Sequence, residues 1–266
     1  MITSLQNPKV KHIVKLRKRS VRDEEGVLLI EGYRELKRAL ENQVVPRALF
    51  YCSDLFQGTN ENTLIQQCEA VGAEVLACSA SVFEKMAYRD RPEGLLALAP
   101  QIKGTLATLS LPENPLLLVA EHIEKPGNLG TMLRSADAAA VDAVIVCDRC
   151  TDINNPNVVR ASIGTLFAVP VVEATSGEAS AWLRGQGIQV VAATPHTDRN
   201  YTHINYTKGT AILVGAEQVG LSEFWMKEAE CQVRIPMLGQ CDSLNVAAAA
   251  TILLYEAVRQ RTQPAA

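Results

Sequence analysis

The sequence predicts an α/β protein of two domains, and three observations lead there. Short apolar runs alternate with amphipathic stretches along nearly the whole chain. The alternation halts once, over a stretch with three prolines, a glycine and several Ser/Thr residues, and then restarts. The 266 residues, 47% of them hydrophobic, exceed one ordinary domain and suffice for two modest cores.

Asn7 to Lys18 reads as a helix, with Val10, Ile13 and Val14 on one face and lysines on the other. Strand Val27–Ile30, helix Tyr33–Asn42 and strand Arg47–Tyr51 follow. Then come helix Thr63–Val71, strand Glu74–Cys78, helix Val82–Tyr88 and strand Leu95–Ala99. This alternation implies a compact, mostly parallel three-layer domain. Pro100 to Pro115 reads as the connection, so the expected division is 1–100, 101–115 and 116–266. Leu116–Ala120 is a continuous apolar run, as expected of a strand buried on both faces. After it come helix Leu129–Ala140, strand Ala143–Cys147, helix Pro156–Ser162, strand Ala168–Val172 and helix Glu178–Gln186. Strand Gln189–Ala193, strand Thr210–Val214, a short helix from Ser222, strand Gln232–Ile235 and helix Leu244–Arg261 complete the second half.

A formal net charge of −3 argues against nucleic acid as partner, but its distribution argues for it. Lys9, Lys11, Lys15, Arg17, Lys18, Arg19 and Arg22 occur with no acid until Asp23. Such a basic arm is one electrostatic footprint of phosphate binding, and a solvated surface helix is the plain alternative. Seven cysteines without framework spacing fit reduced thiols. Cys147 and Cys150 form one C-x-x-C with no second pair and no nearby His, so no metal site is expected. No apolar h-region marks the start and no apolar run approaches a membrane span, so a cytoplasmic protein is expected.

Three segments at strand ends concentrate Gly, Asn, Glu, Arg and Ser, where open α/β sheets bind ligands. The first runs from Glu121 to Arg134. Its Gly127 and Gly130 permit close backbone approach, and the helix start favours an anion that Arg134 could reach. A plain helix cap at Asn128, with Arg134 paired to a surface carboxylate, is the competing reading. The second, Gly215 to Ser222, sets Glu217 between two glycines at a strand end; a tight turn with Ser222 as N-cap is compatible with that. The third, Ile235 to Val246, leads into an alanine-rich helix. Ser243 is a good N-cap, which leaves Asn245, a mediocre helix former, in the first turn.

Together these segments resemble the SpoU-type (TrmH-like) RNA methyltransferases of the SPOUT superfamily. Asn128, Gly130 and Arg134 match the family's first motif; Gly215, Glu217, Gly220 and Leu221 match its second. Ile235 through Gly239 and Ser243 through Val246 match the third, and order and spacing agree throughout. The first half looks, less specifically, like the ribosomal-protein-like RNA-binding domain that precedes this catalytic domain in many members. The resemblance implies S-adenosylmethionine-dependent 2'-O-methylation of a ribose in structured RNA, ribosomal rather than transfer RNA. It also implies a parallel sheet with a deep trefoil knot and a homodimer that uses the final helix and the first motif. Carried over residue by residue, Arg134, Asn128, Glu217 and Asn245 are catalytic. Thr194, Gly215, Ile235, Met237, Ser243 and Leu244 hold the cofactor, and the basic arm meets RNA.

Two rivals remain open on sequence. Gly127-x-x-Gly130 with Asp148 farther on imitates a dinucleotide fingerprint, but lacks the third glycine and the tight turn. A non-catalytic RNA-binding protein of the same fold is the other. The loop His196–Lys208, with Tyr201, Tyr206 and two histidines, reads first as ordinary surface and second as a base-stacking platform.

Overall fold

The computed structural model describes residues 1–148 and 151–262, which form two compact units. The first comprises Met1–Ile102 together with Asp152–Ala168. Its elements are α1 (Pro8–Lys15), α2 (Arg19–Glu25), β1 (Val27–Glu31), α3 (Tyr33–Glu41), β2 (Ala48–Tyr51), α4 (Glu61–Ala70), β3 (Glu74–Ala77), α5 (Ala80–Met86) and β4 (Leu95–Pro100). From the later segment it takes α7 (Pro156–Ala161), which packs beside β1.

Asn7 caps α1, its side chain accepting the Lys9 N–H. The expected single helix Asn7–Lys18 is thus shorter, and a second helix follows that ends at Gly26 in the left-handed conformation (φ 63°). Val10, Ile13 and Leu16 pack against Leu29, Phe50, Phe83 and Leu96.

The sheet order is β1-β4-β2-β3, and only β2 and β3 run parallel. β4 lies antiparallel to both neighbours, which corrects the expected mostly parallel sheet. The cause lies in the β3–β4 connection. Tyr51 at the end of β2 pairs with Ala77 at the end of β3 and with Leu95 at the start of β4. The chain therefore turns back at the edge where β3 finishes. Parallel pairing would need the chain to cross to the opposite edge first, whereas residues 78–94 deliver the start of β4 beside the end of β2.

The second unit comprises Lys103–Thr151 and Val169 onward. It holds β5 (Leu116–Glu121), α6 (Pro126–Ala138), β6 (Ala143–Cys147), β7 (Val171–Ala174), α8 (Ser176–Gly185), β8 (Gln189–Ala193), β9 (Thr210–Val214), α9 (Glu223–Glu228), β10 (Cys231–Val233) and α10 (Val246–Thr262). Its six strands are all parallel, in the order β10-β8-β9-β5-β6-β7. β5, β6 and β9 are buried along their whole length, which is why their sequences are unbroken apolar runs. The connecting stretch is no loose tether: Leu106, Leu109 and Leu111 pack against this unit's core.

Cys52, Cys68, Cys78 and Cys147 are buried free thiols; Cys150 lies outside the described residues. Burial pushes the Cys68 and Cys78 thiols up to about 11, so they are unreactive near neutrality. Among the described residues no His/Cys/Asp/Glu cluster could hold a metal ion, and no helix is long and apolar enough to cross a membrane.

Candidate functional site

The order of the parallel strands locates a crevice before any side chain is considered. β5 connects through α6 to β6 on one side, whereas the chain leaving β9 goes to β10 on the other. Adjacent strands whose connections diverge open a crevice beyond their carboxyl ends, the usual ligand position in open α/β sheets. All three segments of interest leave strands at that edge: Glu121 onward from β5, Gly215 onward from β9 and Ile235 onward from β10.

There the three segments meet. The Asn245 amide donates to Asn128 Oδ1 at 3.2 Å. The Asn128 amide donates to one Glu217 oxygen, and Lys125 Nζ donates to the other. Glu217 in turn raises the pKa of the exposed Lys125 ammonium, first through that hydrogen bond. Residues from the first, second and third segments thus form one continuous polar line. Arg134 stands farther along α6, exposed, with no hydrogen bond or ion pair among the described residues. It lies six positions beyond Asn128, about 9 Å along a helix axis.

Local structure explains each placement. Pro126 and Gly127 begin α6, so Asn128 sits inside its first turn and is not the cap. Asn245 holds the capping position expected of Ser243. Its Oδ1 accepts the Ala247 N–H at 3.0 Å, which leaves its amide free to face Asn128. α10 packs on α6, and Ser135 and Thr251 share a hydrogen bond of 2.6 Å between them. Ser222 caps α9 as expected. A Cβ at Gly215 would lie 2.4 Å from Gly220 backbone atoms, because residues 216–220 double back over it. Gly127 is different: a Cβ there meets no atom within 4 Å.

Of the residues expected around a cofactor, Thr194 and Gly215 are fixed within the sheet edge. The Thr194 N–H donates to Val233 O at 2.9 Å, tying the end of β8 to β10. Ile235 and Met237 are half-buried, and Ser243 and Leu244 are exposed. No main-chain N–H or C=O from Ile235 to Leu244 makes a hydrogen bond among the described residues.

Sequence reasoning passed over Glu121, only 1% exposed at the end of β5. Its carboxylate accepts the Ser222 N–H at 2.8 Å and a long contact of 3.5 Å from the Ser176 hydroxyl. Ser176 in turn accepts the Trp225 indole N–H at 2.7 Å. This buried triangle holds the β9 loop that carries Glu217. A carboxylate directly after a fully apolar run was the available signal. Asp148 accepts the Ser176 N–H and so serves the start of α8, which removes it as a ribose ligand. Tyr206 is fully buried and donates to Tyr201 O, so it offers no stacking platform.

Part of the basic arm is engaged within the fold. Arg22 is 2% exposed, pairs with Asp152 at 2.7 Å and donates to Leu16 O and Arg17 O, so it presents no charge to a ligand. Arg17 donates to the carbonyls of Lys85 and Ala87 and lies over the Tyr88 ring. Lys9 pairs with Glu74, and Arg19 with Asp23. Lys11, Lys15 and Lys18 remain exposed and without partners among the described residues.

A parallel sheet with a polar cradle at its switch point defines an α/β domain of the ligand-binding kind. The chain belongs to the SpoU rRNA Methylase family, whose match covers residues 115–255. A second match, to the MRM3-like substrate binding domain, covers residues 7–97. The chain is 32% identical to a 23S rRNA (uridine(2479)-2'-O)-methyltransferase of Streptomyces viridochromogenes, over 91% of its own length and 86% of the relative's. It is 29% identical to a 23S rRNA (guanosine(2553)-2'-O)-methyltransferase of Bacillus subtilis, over 96% and 97% of the two chains. A crystal structure of an AdoMet-bound rRNA methyltransferase from Sinorhizobium meliloti superposes with a TM-score of 0.90 at 32% identity, covering 98% of each chain.

Proposed function

We propose that this chain methylates a ribose 2'-hydroxyl of 23S rRNA with S-adenosylmethionine, acting as a cytoplasmic homodimer. Residues 1–100 recognise RNA, 101–115 connect and 116–266 carry the chemistry, with Asp152–Ala168 joined to the recognition unit. The reading includes a ribosomal-protein-like fold for the first part, a deep trefoil knot in the second, and a dimer interface of α10 and α6. The observation that supports it most is the line Asn245–Asn128–Glu217, which joins all three motifs at the crevice between β5 and β9.

S-adenosylmethionine, when bound, supplies a methyl group on a positively charged sulfur. The chain fits it. The loop Ile235–Leu244 keeps its main-chain donors and acceptors unengaged, and Gly215 is pressed against Gly220 so that only a bare Cα fits. Thr194, Gly215, Ile235, Met237, Ser243 and Leu244 would hold it.

The chain's own task is to align the hydroxyl and help it lose its proton. An arginine is a poor base in water, so Arg134 binds the neighbouring phosphate and stabilises the developing alkoxide by donation, while that phosphate of the RNA takes the hydroxyl proton. Asn128, Glu217 and Asn245 orient the ribose. Lys125 balances the Glu217 charge and leaves the two asparagine amides to set direction. Arg134→Ala should abolish methyl transfer in a tritium-incorporation assay while S-adenosylmethionine affinity by calorimetry stays within about twofold. Loss of both together identifies Arg134 as structural and refutes the role.

A further inference from the structure

We infer that a cleft in the first unit, built from residues far apart in sequence, seats an unpaired, phosphate-bearing stretch of RNA. The inference rests on the rRNA methyltransferase reading and gives that reading a recognition site. The cleft is open to solvent and has a volume of about 930 Å³, room for several nucleotide-sized groups rather than an enclosed pocket. Besides Arg89, which is engaged with Glu35 and Glu93 of the same wall, three arginines line it: Arg34 in the first turn of α3, Arg91 in the turn before β4, and Arg160 near the end of α7. All three are exposed, and none of their guanidiniums makes a hydrogen bond or ion pair among the described residues, although Arg160 is near enough to Glu31 to favour its charged form.

Behind them lies a layer that fixes their bases. Arg89 donates to Glu35 at 2.6 Å and to Glu31 O at 3.1 Å, and it also pairs with Glu93. The Glu31 carboxylate accepts the main-chain N–H groups of Tyr88 at 2.7 Å and Arg89 at 3.4 Å. Gly32 takes φ +112° at the head of α3, where a Cβ would come within 2.5 Å of the Glu35 carboxylate. Burying charges is expensive, and a packed apolar layer would hold the turn at less cost. What the network does provide is a rigid turn and helix start from which Arg34 and Arg91 project. Donors held in place before binding lose little freedom when a ligand arrives.

The chemistry selects the ligand. Guanidinium forks match phosphate oxygens two at a time. Asp90, exposed on the same wall and without a partner among the described residues, would repel an isolated anion. It accepts base N–H groups, so the cleft suits a molecule that carries phosphates and base edges together. Unpaired RNA offers both at this scale, because its bases are free of the stack. The basic arm remains a second, exposed phosphate contact beside the cleft: Arg22 alone is buried, the pairs of Lys9 and Arg19 lie at the surface, and Lys11, Lys15 and Lys18 have no partner among the described residues.

The test uses the full chain with fluorescein-labelled random-sequence RNA and with 23S rRNA. Arg34→Gln, Arg91→Gln and Arg160→Gln are made singly and together; all three residues are exposed, so folding should be unaffected. Each substitution should lower the slope of log affinity against log salt by about 0.7, as expected for one lost phosphate contact on single-stranded nucleic acid. The triple variant should bind RNA at least roughly tenfold more weakly and raise KM for 23S rRNA, with kcat and S-adenosylmethionine affinity unchanged. Unchanged salt slope and KM in a triple variant that still methylates overturns the cleft assignment and leaves the methyltransferase reading standing. Absence of methyl transfer by the unaltered chain overturns that reading instead, while arginine-dependent RNA binding would still support the cleft. Binding of AMP or GMP at the three arginines, with no competition from RNA, overturns the choice of RNA.

Discussion

Asn245 does two jobs with two ends of one amide, and a pair of substitutions separates them. Its Oδ1 caps α10 through the Ala247 N–H, and its Nδ2 reaches Asn128 at 3.2 Å. Asn245→Asp keeps the capping oxygen and removes the donor, setting a second oxygen against Asn128 Oδ1. The lost hydrogen bond costs about 0.5–1.5 kcal/mol. A negative charge at the start of α10 returns about 0.3–1 kcal/mol through the helix dipole, so folding should change by less than about 1 kcal/mol. Asn245→Ala removes the cap as well, worth about 1 kcal/mol, for a loss near 2 kcal/mol. Both variants release Asn128 and with it the orientation of Glu217. Methyl transfer should therefore fall at least about tenfold in both, equivalent to about 1.4 kcal/mol on the barrier. The two tryptophans, Trp182 and Trp225, belong to the second unit, so urea titration followed by their fluorescence reads this unit alone. The reasoning is refuted if Asn245→Asp destabilises as much as Asn245→Ala, or if it transfers methyl at the unaltered rate.

Two further outcomes follow from contacts described above. Arg22→Ala strands the buried Asp152 carboxylate and should cost about 3–5 kcal/mol in the first unit. Far-ultraviolet circular dichroism should then show an earlier unfolding step that tryptophan fluorescence does not see, and coincident transitions would count against it. Gly215→Ala drives a Cβ to 2.4 Å from Gly220 and must displace the β9 loop. Calorimetry should show S-adenosylmethionine affinity reduced by roughly a hundredfold, about 2.7 kcal/mol; near-normal affinity would mean that the loop's shape does not matter to the ligand.

What could be read beforehand, and what could not, divides along physical lines. The second unit's strands announced themselves because burial on both faces leaves an unbroken apolar run: Leu116–Ala120 was expected and Leu116–Glu121 found. Helix starts were less visible. Pro126 and Gly127 look like loop residues, although proline is at home in a first helical turn. The direction of β4 was hidden, because side-chain periodicity is the same whichever way a strand runs. At the site, Asn128, Glu217 and Asn245 were identifiable from three spaced motifs, and they meet. Arg22 misled because a charge written in a basic run carries no mark of being buried. Arg34, Arg91 and Arg160 went unnoticed for the opposite reason: nothing in the one-dimensional order brings them together, and only the folding of residues 152–168 onto the first unit does so.

That same excursion has a consequence for how such a protein can be altered. The polypeptide passes from one unit to the other after residues 102, 151 and 168, so no single cut releases either of them whole. Retargeting by swapping recognition modules between relatives would therefore take a two-piece graft, residues 1–102 and 152–168 from one donor. A fusion at one junction would give a chimera whose first sheet lacks its own covering helix.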